Sequence, residues 1–352
     1  MEPMPVVASD QHALHDPPYE VNYGTVVRPV YERVARGERL RAALAAAGHP
    51  LLAPAGHGLG PVLAVHDRDL VEFLEGAWAG WRAAGGGEAL IPDTFPLPRM
   101  AGGGPRELAG PLGRPGWYCF DTATPLVAGS WRAARAAVDV ALGGAELLAD
   151  GAAAAYALCR PPGHHAGPGY YGGFCLLNNA AVAARWLARL GRVAVVDVDF
   201  HHGNGTQDVF WEDPAVLYVS LHGDPARHYP PFSGAADERG GGPGAGATRN
   251  FPLADGTGDD DYLAALAAAA EVVAAFDPAT LVVSLGFDTF QADPIGAFAL
   301  TTGGYRRIGG LLAELGRPTL IVQEGGYAIE ALGDCAVAAL AGFQAARISG
   351  PG

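Results

Sequence analysis

The feature that most constrains the fold is a repeat in which a short apolar run ends in a polar, glycine-rich loop and a helical pattern follows. Such runs are typical of buried strands, and the segments between them have amphipathic helical periodicity. This alternation predicts an α/β fold with a mainly parallel sheet and helices on both faces. We expect strands at 154–159, 193–199, 215–221, 280–285 and 319–322, and helices at 131–149, 179–190, 259–276 and 303–315. Because ligands bind beyond the carboxyl ends of parallel strands, the polar loops should gather at one edge.

The domain organisation follows from length and composition. The 352 residues, 49% of them hydrophobic, are enough for one large core, and no boundary or internal repeat is visible. We therefore predict a single domain over residues 1–352. The Gly- and Pro-rich segment 83–116 interrupts the alternation of strands and helices and is long for a connection in a compact domain. Such a length indicates a functional, interfacial or mobile loop.

Charge and residue usage exclude several functions. The net charge of −14 disfavours nucleic acid and anionic membrane surfaces as partners. The chain contains no lysine, which excludes Schiff-base chemistry and a P-loop lysine. Its four cysteines show no CxxC spacing, and neither a signal-peptide pattern nor a membrane-spanning apolar stretch is visible. We expect a protein of the reducing cytoplasm.

The segment 193–210, VAVVDVDFHHGNGTQDVF, carries Asp197, Asp199 and His201 at the end of a predicted strand. Residues two apart on a strand share a face, and burying this much charge requires a cation. Asp288 follows another strand, so Asp199, His201 and Asp288 form a three-ligand set with the open position of catalytic metal sites. The alternative is that each carboxylate caps a neighbouring helix. Zinc is the leading ion, and the oxygen-rich set also suits Fe²⁺, Co²⁺ or Mn²⁺.

Two adjacent histidines, His164 and His165 in RPPGHHAG, indicate acid/base chemistry beside that metal. Asp197 and Asn204 are candidate partners, and only the carboxylate would raise the pKa of its imidazole. Tyr327, in QEGGY, can donate to a developing oxyanion, or else packs as a rim aromatic. Two further aromatic residues, Phe174 and Tyr229, either wall a channel or belong to the core.

The motifs RPPGHHAG, GFCLLNNAAVAA, DVDFHHGNGTQDVF, SLHGDP, GFDTFQADP and QEGGY together resemble the histone deacetylase superfamily, in its class II branch. The similarity extends from about residue 62 onward and is greatest to bacterial acetylpolyamine amidohydrolases. It implies the three-layer arginase/deacetylase-like fold and a metal-dependent enzyme that removes an acyl group from a small amine.

The resemblance also implies residue roles. Asp199, His201 and Asp288 would hold the metal, and Tyr327 would polarise the acyl carbonyl. His165, paired with Asn204, would be the general base and then acid, whereas His164, paired with Asp197, would act electrostatically. Other implied positions are the substrate channel (Phe174, Tyr229, Gly173 and Leu112) and a structural potassium site (Asp197, Asp199, His201, Ser220 and Leu221). The loop 83–116 would narrow the channel and help to form a homodimer.

The sequence departs from the polyamine branch at the channel mouth. Leu112 and Ala123 occupy positions where those relatives tend to carry acidic residues, and Glu107 and Asp121 lie nearby. A less polar mouth favours shorter, aromatic or less cationic acylated amines. Three alternative functions stay open: a protein or histone acetyl-lysine deacetylase, a binuclear manganese ureohydrolase, and a non-catalytic protein that binds acylated ligands.

Overall fold

The computed structural model describes residues 3–97 and 110–349. The strands are β1 (Val6–Val7), β2 (Glu20–Asn22), β3 (Thr25–Val27), β4 (Leu51–Leu52), β5 (Ala154–Ala157), β6 (Val193–Asp197), β7 (Val216–Gly223), β8 (Thr248–Leu253), β9 (Thr280–Leu285) and β10 (Thr319–Gln323). The α-helices are α1 (Val34–Ala46), α2 (Gly60–Leu63), α3 (Arg68–Ala83), α4 (Arg114–Tyr118), α5 (Ser130–Ala149), α6 (Asn179–Leu187), α7 (Asn204–Phe210), α8 (Asp259–Phe276), α9 (Thr302–Glu314) and α10 (Ile329–Ser349).

The centre of the fold is an eight-stranded sheet in the order β4-β1-β5-β10-β9-β6-β7-β8. Neighbouring strands in it run parallel. Successive side chains of β6 point to opposite faces, so Val193 and Val195 join one apolar core while Ala194 and Val196 join the other. The sheet is therefore buried on both sides, and the predicted three-layer α/β fold is confirmed.

Local signals place the helices that flank the sheet. The first turn of α8 carries Asp259, Asp260 and Asp261, whose charges suit the positive end of the helix dipole. Asn178 caps α6, because its side chain accepts the backbone N–H of Ala181 at 2.9 Å. Thr301 caps α9 in the same way.

The structure differs from the sequence prediction at the strand ends. Strand β6 ends at Asp197, so Asp199 and His201 lie on the loop that follows and not on the strand itself. The short strands β1 and β4, the strand β8 and the hairpin β2–β3 have patterns too short or too mixed to be predicted. The sheet takes strands from both ends of the described chain, and the single-domain assignment stays a prediction.

The predicted loop 83–116 begins at the last residue of α3 and contains the start of α4. Leu90 is fixed by two backbone hydrogen bonds of 2.9 Å to Leu126. Residues 98–109, which include Glu107, lie outside the described part of the chain.

One described helix, at Ile329–Ile348, is long and apolar enough to cross a membrane. In the fold it packs against α1 and α9. Leu332, Ala336 and Leu340 of this helix are buried in the core. Packing against the neighbouring helices thus accounts for its apolar composition.

Candidate metal and catalytic site

The sheet topology brings the polar loops to one edge. Strands β5, β10, β9 and β6 are successive neighbours and run parallel, so their carboxyl ends lie side by side. His164 and His165 follow β5, Asp199 and His201 follow β6, Asp288 follows β9, and Tyr327 follows β10. This arrangement is the one expected for a ligand site in a parallel sheet.

Asp199, His201 and Asp288 converge on one point, with ligand atoms within 4.8 Å of one another. Nδ1 of His201 lies 3.0 Å from Oδ2 of Asp288 and 3.4 Å from Oδ1 of Asp199. Backbone groups fix the remaining oxygens, because Phe200 N–H donates to Asp288 Oδ1 at 2.9 Å and Gly325 N–H to Asp199 Oδ2 at 2.8 Å. The three side chains are thus held with their donor atoms facing each other.

The donor set suits a divalent cation. Both carboxylates are fully buried, and within residues 3–97 and 110–349 their ion pairs are with histidines alone. Burial and the charge of Asp199 raise the pKa of Asp288 to about 7. Two carboxylate oxygens and one imidazole nitrogen form a typical set for Zn²⁺, Fe²⁺ or Co²⁺. These residues fit the metal that the sequence predicts.

Gly325 permits this crowding. A Cβ atom at this position would lie 2.4 Å from Oδ2 of Asp288 and 2.7 Å from Oδ2 of Asp199. Only glycine lets the backbone after β10 approach both carboxylates so closely.

The two adjacent histidines have different partners, as predicted. Nδ1 of His164 lies 3.0 Å from Asp197 Oδ2, whereas Nδ1 of His165 lies 2.7 Å from Asn204 Oδ1. Their ring centroids are 4.1 Å apart, and both side chains are buried. The same loop therefore presents one imidazole backed by a charge and one backed by a neutral amide.

Burial and nearby charges shift the pKa values of the two histidines in opposite directions. Burial alone would lower the pKa of His164, but Asp199 and Asp197 outweigh it and raise the pKa to about 10. Burial, followed by the charges of His164 and His201, holds the pKa of His165 well below its usual value. These shifts favour the protonated form of His164 and the neutral, proton-accepting form of His165, a division of roles that suits base catalysis.

Tyr327 faces the same space. Its side chain is buried, its ring lies edge-on to Phe174 at 5.5 Å, and the Arg36 guanidinium lies 4.7 Å from its centroid. Burial raises the pKa of Tyr327 well above the usual value. The phenol therefore keeps its proton and can act as a hydrogen-bond donor.

A cavity of about 610 Å³ connects these groups to the surface. Phe120 and Tyr229 stack in its wall with centroids 5.9 Å apart. The described residues that line it are Val21, Asn22, Tyr23, Tyr31, Phe95, Phe120, Asp121, Thr122, Ala123, His165, Gly173, Phe174, His201, Arg227, His228, Tyr229, Ile295 and Tyr327. Seven of these eighteen residues are Phe or Tyr, which suits the apolar part of a small ligand.

Three of the four predicted channel residues lie in this lining, namely Gly173, Phe174 and Tyr229. Gly173 has a φ of +57°, and a Cβ atom there would lie 2.2 Å from Cδ2 of His165. Leu112, in contrast, is 71% exposed and lies outside the described lining residues, so its place in the channel stays a prediction.

Asp121 has a part in the wall that the sequence did not reveal. Its Oδ2 accepts the Gly173 N–H at 2.6 Å and the Tyr229 hydroxyl at 2.9 Å. Its Oδ1 accepts the Ala123 N–H at 3.0 Å and the Thr124 hydroxyl at 2.9 Å. The contact to Ala123 is a local Asx-turn, the one signal in the sequence that could have identified it. With four donors already bound, Asp121 organises the wall and does not present a free carboxylate to a ligand.

The residues of the predicted potassium site lie on β6, on β7 and on the loop that follows β6. Asp197 of β6 pairs in register with Ser220 of β7, and Leu221 follows. Asp199 and His201 lie on the loop after β6. Potassium at this position stays a prediction.

Three buried charged residues around the site were not predicted from the sequence. Glu324 accepts the backbone N–H groups of Gly163 at 2.7 Å and His164 at 3.2 Å. Arg36 and Asp293 contact the loop that carries Tyr327. Glu324 and Asp293 belong to recognised motifs, but their partners come from distant segments that a single sequence does not pair.

Comparison with known proteins places the chain among relatives of similar length. Residues 31–343 match the model of the histone deacetylase domain. Acetylpolyamine amidohydrolase 1 of Pseudomonas aeruginosa is 46% identical over 343 residues, covering 97% of this chain and 99% of that protein. Acetylpolyamine amidohydrolase of Mycoplana ramosa is 45% identical over 333 residues, covering 94% and 96%.

Solved structures of the same two groups of proteins also superimpose on this chain. The crystal structure of an acetylpolyamine aminohydrolase from Burkholderia pseudomallei superimposes with a TM-score of 0.93 at 40% identity, covering 97% of this chain and 99% of that one. The HD domain of HDA15 superimposes with a TM-score of 0.80 at 30% identity, covering 98% and 90%.

Proposed function

Since the chain belongs to the histone deacetylase family, we propose that it is a zinc-dependent amidohydrolase that removes an acetyl group from a small acylated amine. One observation carries the proposal. A neutral and a cationic histidine lie side by side next to a buried Asp–His–Asp donor set at an aromatic cavity. Neither a helix-capping role for the carboxylates nor a core role for the histidines would require this arrangement.

The ion supplies one part of the chemistry. Asp199, His201 and Asp288 would hold a divalent metal, which would supply polarisation of the acyl carbonyl and acidification of water. Zinc is proposed first, because two oxygens and one nitrogen with an open position are typical of its catalytic sites.

His165 moves the protons. Its Nδ1–H donates to Asn204 Oδ1, which leaves the lone pair of Nε2 free. Nε2 takes a proton from the water whose oxygen attacks the acyl carbon. As the C–N bond breaks, the same nitrogen gives that proton to the departing amine, so that the products are acetate and the free amine.

Tyr327 stabilises the developing oxyanion, and His164 adjusts the proton affinity of His165. The protonated phenol of Tyr327 donates to the acyl oxygen as that oxygen becomes negative. His164 stays cationic between Asp197 and Asp199, and its charge lowers the proton affinity of His165. Asp197 therefore acts on the reaction through His164.

An acetylated polyamine is the first substrate to consider, because the relatives with 43–46% identity over nearly the whole chain are named acetylpolyamine amidohydrolases. The residues at the mouth of the cavity weaken the case for a long, cationic polyamine. Ala123 lies in the wall, and Asp121 has its acceptor sites filled. Shorter or less cationic acetylated amines therefore belong in the same test.

We also propose three properties of the working enzyme. A potassium ion binds at Asp197, Asp199, His201, Ser220 and Leu221, supported by the pairing of β6 with β7. A second copy of the chain docks on the loop 83–116, supported by the exposed side chains of Phe95, Leu97 and Leu112. The enzyme works in the cytoplasm, on small molecules and not on nucleic acid or membranes, as the net charge of −14 favours.

The decisive experiment is a turnover screen of the zinc-loaded protein against acetylputrescine, acetylspermidine, acetyl-lysine peptides and uncharged N-acetyl amines. Fastest release of acetate from acetylputrescine or acetylspermidine is expected. Preference for peptides would replace the small-molecule assignment by protein deacetylation. Two metal ions per chain with urea release from guanidino substrates would favour a ureohydrolase, and binding without turnover would favour a ligand-binding protein.

A further inference from the structure

We propose that Asp293 is a positioning residue that fixes Tyr327 relative to the metal ligands. The inference rests on the proposed function, in which Tyr327 donates to the developing oxyanion. Asp293 itself does not line the cavity among the described residues, so it would act through Tyr327 and not on the substrate.

The Asp293 carboxylate bridges two loops through four backbone hydrogen bonds. Its Oδ2 accepts the N–H of Tyr327 at 2.7 Å and of Ala328 at 3.1 Å. Its Oδ1 accepts the N–H of Ile295 at 3.0 Å and of Gly296 at 3.2 Å. One oxygen therefore holds the loop 324–328 that carries Tyr327 (the tyrosine loop), and the other holds the loop that follows β9.

Asp293 satisfies N–H groups that the sheet leaves without a partner. Strand β10 ends at Gln323, so Tyr327 and Ala328 lie beyond the parallel ladder. Tyr327 is buried, and an unpaired backbone N–H in such a place is costly. Asp293 supplies the acceptor, and Asp293 is itself buried.

The opposite side of the tyrosine loop is held by a cation. Arg36 donates Nε–H to the Gly326 carbonyl at 2.5 Å and an Nη2–H to the Glu324 carbonyl at 2.7 Å. Its guanidinium also lies against the Tyr327 ring. The N–H groups of the loop thus face a buried carboxylate, and its carbonyls face a buried guanidinium.

The Asp293 contact also ties the loop that carries Tyr327 to the loop after β9, in addition to the Gly325 N–H that binds Asp199. The loop after β9 carries the metal ligand Asp288 and the cavity residue Ile295. By binding both loops, Asp293 sets where the Tyr327 phenol lies relative to Asp288. An oxyanion donor is effective only when it is preorganised at the right distance, and small misplacements are expensive.

The test is a double-mutant cycle with Asp293→Asn and Tyr327→Phe. The amide has the shape of the carboxylate, but its NH₂ group cannot accept the two N–H groups of one loop. In the wild-type background we expect kcat to fall about tenfold to 10²-fold with KM nearly unchanged. In the Tyr327→Phe background the same substitution should change kcat little, because the group that it positions has been removed.

Asp259→Asn is the matched control. Asp259 also joins two distant segments, by accepting the Thr301 N–H at 2.9 Å, but it does not line the cavity among the described residues. Its loss should leave kcat unchanged in both backgrounds. An equal fall of kcat for Asp293→Asn with and without the Tyr327 hydroxyl would overturn the proposal, and so would a wild-type kcat.

A second measurement does not depend on a folded variant. Selective ¹⁵N-tyrosine labelling of the wild type reports hydrogen exchange at the Tyr327 amide, which should be strongly protected. Rapid exchange there would overturn the hydrogen bond to Asp293 and, with it, the inference. Failure of the wild type to hydrolyse any acylated amine would instead overturn the proposed function, while the exchange result would still test the contact itself.

Discussion

His165 and Asn204 face each other with 2.7 Å between Nδ1 and Oδ1, so the imidazole that accepts the proton is oriented by a neutral group. Its neighbour His164 is oriented by the carboxylate of Asp197 at 3.0 Å. Burial and the charges of His164 and His201 keep the pKa of His165 low, whereas Asp199 and Asp197 outweigh burial and raise the pKa of His164 to about 10. The carboxylates beside His164, and the neutral amide beside His165, therefore favour His165 as the base.

Replacing Asn204 by Asp should move the pH profile. A carboxylate at this place favours the imidazolium form, so it raises the pKa of His165. Protonated His165 cannot accept a proton from water, and the acid limb of kcat/KM should therefore shift to higher pH. The measurement is kcat/KM against pH for both proteins. An unchanged acid limb would remove His165 as the base.

Replacing Tyr327 by Phe should remove the oxyanion donor and leave the metal in place. Loss of one such donor lowers kcat by about 10²–10³-fold. Metal content is the control, because Tyr327 is not among the candidate ligands. Steady-state kinetics and elemental analysis of the same sample provide the test, and near-normal turnover would exclude Tyr327 from the mechanism.

Metal removal should destabilise the protein through Asp199, His201 and Asp288. An ion that binds the folded state at 100 times its Kd adds about 2.7 kcal/mol of stability. We expect zinc to raise the melting temperature of the chelator-treated wild type but not that of Asp288→Asn. Asp224→Asn is the control. The Asp224 carboxylate accepts the Ala226 N–H at 3.0 Å, and it is not one of the candidate metal ligands. Equal zinc shifts in all three proteins would place the metal elsewhere.

Acid should destabilise the fold through His66. Both ring nitrogens are engaged, at 2.8 Å to the Gly167 carbonyl and 2.9 Å to the Asn178 N–H, and burial lowers the pKa from 6.5 to about 4. The unfolded chain then binds more protons between these pH values, so stability is full above pH 6.5 and falls as the pH drops toward 4. His66 alone accounts for ~3 kcal/mol of this loss.

Urea unfolding at pH 7 and pH 4.5 measures this effect. The free energy of unfolding of His66→Gln should change less between the two pH values than that of the wild type. The same pH dependence in both proteins would exclude His66 as a contributor.

The sequence predicted the parts of the fold and site that local patterns encode. The apolar runs of β5, β6, β7, β9 and β10 were visible because strands buried on both faces are continuously apolar. The parallel arrangement then placed Asp199, His201, Asp288 and the paired histidines at one edge, where the structure has them.

Contacts between distant segments were not predictable from one sequence. Asp121 was noted only as an acidic residue near the mouth, whereas its contacts reach Gly173 and Tyr229, 52 and 108 residues away. Arg36 contacts the tyrosine loop 290 residues further along the chain. No periodicity or motif encodes such pairs, because they depend on how loops from different strands meet.

The most direct test of the account is hydrolysis of N-acetylputrescine by the zinc-loaded protein in H₂¹⁸O, followed by mass spectrometry of the products. We expect equal amounts of putrescine and acetate, with one ¹⁸O in each acetate, and almost no product from Tyr327→Phe. Absence of acetate from this and every other acylated amine, with one zinc bound per chain, would contradict it.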